Sequence, residues 1–161
     1  MGRCIVKRAI YSGTFDPFTN GHLDILQKGL EIFDNIVIAV ATSKSKKPMF
    51  DIDTRVGLIK KATSKFSHKI DIIPFDILLV DFAKQQNINN IIRGVRTNID
   101  FEYEMQMAYA NNSLDKNIQT IFLTPSLQNS FVSSTIVREL IRFGGNFSHL
   151  VPKEIIEDLA T

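Results

Sequence analysis

Arg8-Ala-Ile-Tyr-Ser-Gly-Thr-Phe-Asp-Pro-Phe-Thr-Asn-Gly-His22 is the stretch that decides the fold. A first apolar run closes at Tyr11, and a loop rich in turn residues (Gly13, Asp16-Pro17, Asn20-Gly21) follows it. His22–Phe33 then sets Leu23, Ile25, Leu26, Leu30 and Phe33 at near-helical spacing. A strand that passes through one short loop into a helix is the opening half of a β–α–β unit, whose next strand runs parallel to the first. The next apolar run, Asn35–Val40 with Ile36, Val37 and Ile38, stands where that strand is needed.

The pattern repeats along the chain. Ile70–Pro74, Asn90–Ile92 and Gln119–Leu123 are further short apolar runs. Several are apolar at consecutive rather than alternate positions, as strands covered on both faces are. Between and after them lie helical patterns at Asp53–Thr63, Leu78–Gln86, Phe101–Asn112 and Ser134–Phe143, the last stopped by Gly144-Gly145. Pro152 introduces a final short helix, Lys153–Leu159. The expectation is one α/β domain over residues 1–161, a doubly wound parallel sheet with helices on both faces. Ligands of such sheets bind beyond the carboxyl ends of the strands, near the point where strand order reverses. The loops after the strands are therefore where chemistry belongs.

Composition narrows the class. The chain has 161 residues, 44% hydrophobic and 22% charged, with a net charge of +2. That is an ordinary globular balance, too weakly basic to make nucleic acid or an anionic membrane the main partner. The one cysteine, Cys4, has no partner for an intrachain disulfide, and beside Ile5 and Val6 it reads as a small buried hydrophobe. No leader pattern precedes the first strand, and no apolar run nears the ~20 residues that span a bilayer. A cytoplasmic protein is expected.

Four loops carry candidate chemistry. In the first, Gly13 allows a sharp exit from the strand, while His22 falls in the first helical turn, where a helix attracts anions. Thr14 and His22 can face one phosphate from the two ends of the loop. The second, Ala41-Thr-Ser-Lys-Ser-Lys-Lys-Pro-Met-Phe50, gathers Lys44, Lys46 and Lys47 beyond a strand end, as either a solvated basic loop or a phosphate site. The third, Ile91-Ile-Arg-Gly-Val-Arg96, supplies two guanidinium forks suited to phosphate oxygens. Asp100, Glu102 and Glu104 follow closely, acids able to favour a helix N-terminus and pair with those arginines. In the fourth, Pro125–Arg138, Ser133, Ser134 and Thr135 stand at a helix start, with Arg138 about one turn on. His68 and His149 are isolated and receive no role.

Taken as strings, these loops resemble known signatures. Gly13-Thr-Phe-Asp-Pro17 with Thr19-Asn-Gly-His22 resembles the (T/H)-x-G-H signature of the nucleotidyltransferase superfamily, and Val132-Ser-Ser-Thr-x-x-Arg138 resembles its I-S-S-T-x-x-R signature. Ser45-Lys-Lys-Pro-Met-Phe50 and Arg93-Gly-Val-Arg96, followed by Asp100-Phe-Glu-Tyr-Glu104, resemble phosphopantetheine adenylyltransferases in particular. The similarity runs from Arg8 to about Pro152. Ser12 stands where many members carry proline, and Asn129 where a bulky aromatic is frequent.

The resemblance implies a Rossmann-like nucleotidyltransferase fold and transfer of the adenylyl group of ATP to 4′-phosphopantetheine. The products are dephospho-coenzyme A and pyrophosphate, formed by in-line attack without a covalent enzyme intermediate. It implies His22 as donor to the α-phosphate, with Thr14 and Lys46 orienting the attacking phosphate and Arg93 on the acceptor side. For ATP it implies Thr14, Phe15, His22, Gly94, Val95, Arg96, Glu104, Asn129, Ser130, Phe131, Val132, Ser133, Ser134 and Thr135. Leu79 and Asn111 are implied for the pantetheine arm, with Leu78, Met107 and Ala110 nearby, although Leu78 and Met107 also read as ordinary core. Mg2+ is expected on the ATP phosphates, without a carboxylate cage of its own. A homohexamer and feedback by coenzyme A complete what the resemblance implies. Two rivals stand beside it: a relative acting on nicotinate mononucleotide, flavin mononucleotide or glycerol phosphate, and a nucleotide-binding regulatory module without turnover.

Overall fold

The computed structural model describes residues 6–42 and 47–160. Among these, five strands form one parallel sheet in the order β3-β2-β1-β4-β5. They are β1 (Arg8–Gly13), β2 (Asn35–Ala41), β3 (Ile70–Phe75), β4 (Asn90–Gly94) and β5 (Gln119–Leu123). The helices are α1 (Asn20–Ile32), α2 (Ile52–Ala62), α3 (Leu79–Gln86), α4 (Asn98–Leu114), α5 (Ser134–Arg142) and α6 (Ile156–Leu159). The doubly wound α/β expectation holds, and the chain reverses its direction of travel across the sheet between β1 and β4.

The consecutive apolar residues of β2 explain the layering. Ile36, Ile38 and Val40 join one buried cluster with Ile25 and Leu26 of α1, Leu58 and Ile59 of α2, and Val137 of α5. Val37 and Ala39 point the other way, into a second cluster with Val80, Phe82 and Ala83 of α3. Register follows directly: Arg8 lies opposite Asn35 and Gly13 opposite Val40, while Ile10 lies opposite Ile91. No helix among the described residues is long and apolar enough to cross a membrane.

Most boundaries shift for identifiable reasons. α1 begins at Asn20 rather than His22 because Thr19 caps it, and α4 begins at Asn98 rather than Phe101 because the Thr97 hydroxyl accepts from Asp100 N–H. β1 and β4 run on to Gly13 and Gly94, since their polar last residues still pair with neighbours. The expected helix Lys153–Leu159 is a 3-10 turn at Lys153–Ile155 followed by the single turn of α6.

Candidate functional site

The carboxyl ends of β1 and β4 adjoin at the switch point, and the first and third loops meet there. The first loop is built around Phe15. Its φ is +51°, and its ring lies 3% exposed against Tyr11, Phe18 and His22. Gly13 makes room for it, because a Cβ there would lie 3.0 Å from the Phe15 ring. The absent side chain thus serves this ring. Thr14, part-buried, follows Gly13.

Thr19, fully buried, caps α1 in a reciprocal box: its hydroxyl accepts from His22 N–H, and its own N–H donates to His22 Nδ1 at 3.0 Å. Glutamate or glutamine would usually fill that third position; here an imidazole does, and the cap fixes the ring. Because Nδ1 accepts a backbone proton, the neutral ring carries its hydrogen on Nε2. Thr19→Val should remove the cap, costing about 1 kcal/mol. A melting temperature lowered by roughly 2–4 °C would show it, together with a fall in turnover as the ring loses its anchor.

Burial, with the Arg96 and Arg93 cations nearby, pushes His22 from its ordinary value down to about 3. The ring is therefore neutral at pH 7, a donor rather than an acid. An NMR titration of the unliganded protein should find the His22 ring resonances flat from about pH 8 to 5, unlike a free imidazole centred near 6.5. The folded value lies below the unfolded one. The contribution of neutral His22 to stability is complete above about pH 6.5 and is lost progressively as pH falls towards 3.

Across the switch point stands the amino end of α5. Ser133 caps it by accepting from Ile136 N–H, Ser134 Oγ donates to Pro17 O, and Arg138 Nη2 donates to Thr135 Oγ1. Arg138 Nη1 reaches back to Asp16 O at 2.6 Å, which ties α5 to the first loop. Arg96 Nη1 donates to Val132 O at 2.9 Å, and its Nε pairs with Asp100. A cavity of about 260 Å³ opens between these groups, walled by His22, Gly94, Arg96 and Ser133–Thr135. Cations, hydroxyls and a helix amino end facing one space suit a polyphosphate.

Arg93 turns the other way. Its Nε and Nη2 donate to the two Glu104 oxygens at 2.7 and 2.6 Å. Nη1 donates to the Ser12 carbonyl at 2.6 Å and to Ser12 Oγ at 3.0 Å. Burial works against this cation, but the Glu104 bonds and charge more than offset it and hold the guanidinium above its ordinary value. A second cavity, about 170 Å³, opens here with Arg93, Glu104, Leu79, Met107 and Asn111 among its walls. Leu78 and Met107, for which core packing was an open reading, are 62% and 42% exposed and line this cavity. Ala108, not Ala110, faces it. Of the acids expected to pair with arginines, Asp100 does so; Glu102 is exposed, and Glu104 takes Arg93 instead.

The remaining candidates fall as follows. Val95 and Val132 are buried, and their backbones connect strand to site: Val95 N–H donates to Leu123 O. Asn129 gives its amide to Asp24 of α1, and Ser130 Oγ donates to Leu127 O. Phe131 is 57% exposed. Lys46 and Lys44 lie outside the described residues, as does Cys4.

Three residues escaped sequence reading. Asp16 looked like half of a turn, yet its carboxylate accepts from Met49 and Phe50 N–H at 2.8 and 2.9 Å, and its bond to Pro17 is cis. Asp24 binds Ser126 through N–H and hydroxyl, fixing the fourth loop against α1. Arg55, which received no role within the helical pattern Asp53–Thr63, is 1% exposed. Its only sequence signal was its place between Val56 and an acidic cap, which names no partner.

Residues 10–140 match the family described as cytidylyltransferase-like. The chain is 55% identical to a phosphopantetheine adenylyltransferase of Nautilia profundicola over 152 residues, covering 94% of this chain and 98% of that one. It is 54% identical to a phosphopantetheine adenylyltransferase of Campylobacter hominis, covering 91% and 92%. Among solved structures, a bifunctional NMN adenylyltransferase/ADP ribose pyrophosphatase of Francisella tularensis superposes with a TM-score of 0.68. It shares 14% identity over 91% of this chain and 44% of that one, a likeness of fold.

Proposed function

Because this chain belongs to the phosphopantetheine adenylyltransferases, we propose that it transfers the adenylyl group of ATP to 4′-phosphopantetheine, releasing pyrophosphate and dephospho-coenzyme A. The observation that carries this reading is the end of β4. Neighbouring residues there face two cavities, Gly94 and Arg96 the polar one beside His22, and Arg93 the more apolar one beside Leu79 and Asn111. Two substrates bound in them would bring their phosphates together over the switch point.

The acceptor phosphate, largely ionised at neutral pH, attacks the α-phosphorus of ATP in line. The bond to the bridging oxygen breaks, and its electron pair leaves on pyrophosphate. The need is for positioning and fixed positive electrostatics. Neutral His22 donates Nε2–H to an α-phosphate oxygen, Arg96 and the Ser133–Thr135 end of α5 hold the triphosphate, and Thr14, Arg93 and Lys46 hold the acceptor. Gly94, Val95, Val132 and the Asn129–Phe131 turn shape the nucleotide side. Phe15 serves through its grip on His22. Glu104 contributes by orienting Arg93, which holds both of its carboxylate oxygens. ATP would enter as its magnesium complex; the described residues include no cluster of His, Cys, Asp or Glu that could hold a metal, so the ion would be held mainly through nucleotide and water and would neutralise phosphate charge.

The same proposal includes a cytoplasmic setting and feedback by coenzyme A, which bears the same pantetheine arm as the acceptor. It also includes a homohexamer, favoured by the apolar side chains that α4 leaves exposed: Ile99, Tyr103, Tyr109 and Leu114. The test is pyrophosphate release from ATP with 4′-phosphopantetheine, nicotinate mononucleotide or glycerol phosphate as acceptor. Release with phosphopantetheine alone is expected. Release with another acceptor alone would replace the substrate, and ATP binding without release would favour a regulatory module.

A further inference from the structure

We propose that Arg55 is a positioning residue for the acceptor half of this reaction, holding Thr14 and both described flanks of the lysine loop in one fixed arrangement. Arg55 lies on α2 and is 1% exposed. It donates to main-chain carbonyls of three separate segments: Nε to Phe50 O at 3.0 Å, and Nη1 to Thr14 O at 2.7 Å and Ala41 O at 2.8 Å. Thr14 follows β1, Ala41 ends β2, and Phe50 leads into α2 through the cap Asp51. The sequence between Ala41 and Phe50 contains Lys44, Lys46 and Lys47.

Asp16 completes the arrangement, accepting from Met49 and Phe50 N–H while Arg138 lies 3.7 Å from its carboxylate. Burial works against the Arg55 charge, and Asp16 and Asp51 offset part of that cost. A residue needed only for volume would not carry a buried fork; an apolar side chain fills space without desolvating a cation. What the guanidinium adds is geometry, since one planar group can donate to carbonyls from three directions. Its bonds avoid the nucleotide cavity: none of its three partners belongs to the walls formed by His22, Arg96 and α5. Losing the fork should therefore disturb acceptor chemistry before nucleotide binding.

This inference rests on the adenylyl-transfer reading above, and the wild-type protein separates the two. Failure of wild type to use 4′-phosphopantetheine would remove that reading before any variant is made. With wild type active, Arg55→Lys keeps the charge but loses the fork. Measured well below its melting temperature, it should bind ATP within about twofold of wild type while kcat/KM for phosphopantetheine falls about tenfold or more, as displaced reactants do. Arg55→Gln should fall further, with the same split. Unchanged kcat/KM, or ATP affinity falling in step with it, would overturn the proposal. So would failure of both variants to fold, which would make Arg55 a residue of the fold alone.

Discussion

His22→Ala is expected to lower kcat by on the order of a hundredfold or more, the usual cost of losing one donor to a transition-state oxygen. ATP affinity should change by only a few fold. Three features lead to that split. The ring is fixed before substrate arrives, by Thr19 through Nδ1 and by Phe15 and Phe18 through its faces and edge. Its neutral state leaves Nε2–H as a donor across the physiological range. Arg96 and the amino end of α5 stand apart from it and can still grip the triphosphate. Steady-state kinetics beside calorimetric ATP titration would read both quantities. A loss confined to ATP affinity would make His22 a binding residue and no more.

Glu104→Ala is expected to destabilise the fold by about 2 kcal/mol, less than the 3–5 typical of fully buried pairs because Arg93 keeps some solvent contact. For a chain of this size that is a melting temperature lower by roughly 4–8 °C. Arg93 would retain its bonds to Ser12 but lose the two that set the plane of its guanidinium. The KM for phosphopantetheine should therefore rise along with the loss of stability. Glu104→Gln, which keeps one acceptor and the shape, should fall between wild type and alanine in both measurements. Calorimetric melting and acceptor kinetics on the same preparations would check this. A stable Glu104→Ala variant with normal acceptor KM would show that the ion pair orients nothing.

How much was legible in advance follows from range. The sheet was readable because strands buried on both faces leave consecutive apolar runs, and Ile36–Val40 is such a run. The site loops were readable because a glycine, a histidine and two arginines stood just past the apolar runs of the sequence. Helix starts were less so, since Thr19 and Thr97 act as caps only when the following residues turn towards them. Least legible were the long connections. Arg55 to Thr14 spans 41 positions and Asp16 to Arg138 spans 122; nothing local in either segment announces the partner. The partition of Arg93 and Arg96 between two cavities also needed coordinates. In an extended strand neighbours face opposite sides, but Arg93 lies in β4 and Arg96 two residues past its end, where that alternation no longer holds.

The most direct measurement mixes the protein with 4′-phosphopantetheine and ATP made chiral at the α-phosphorus by sulfur substitution, then determines the configuration at phosphorus in the product. Direct passage of the adenylyl group between the two cavities gives a sulfur-bearing dephospho-coenzyme A with inverted configuration. Retained configuration would require an adenylylated enzyme between two displacements, and an absent product would remove phosphopantetheine as the acceptor; either result would contradict one-step transfer at this site.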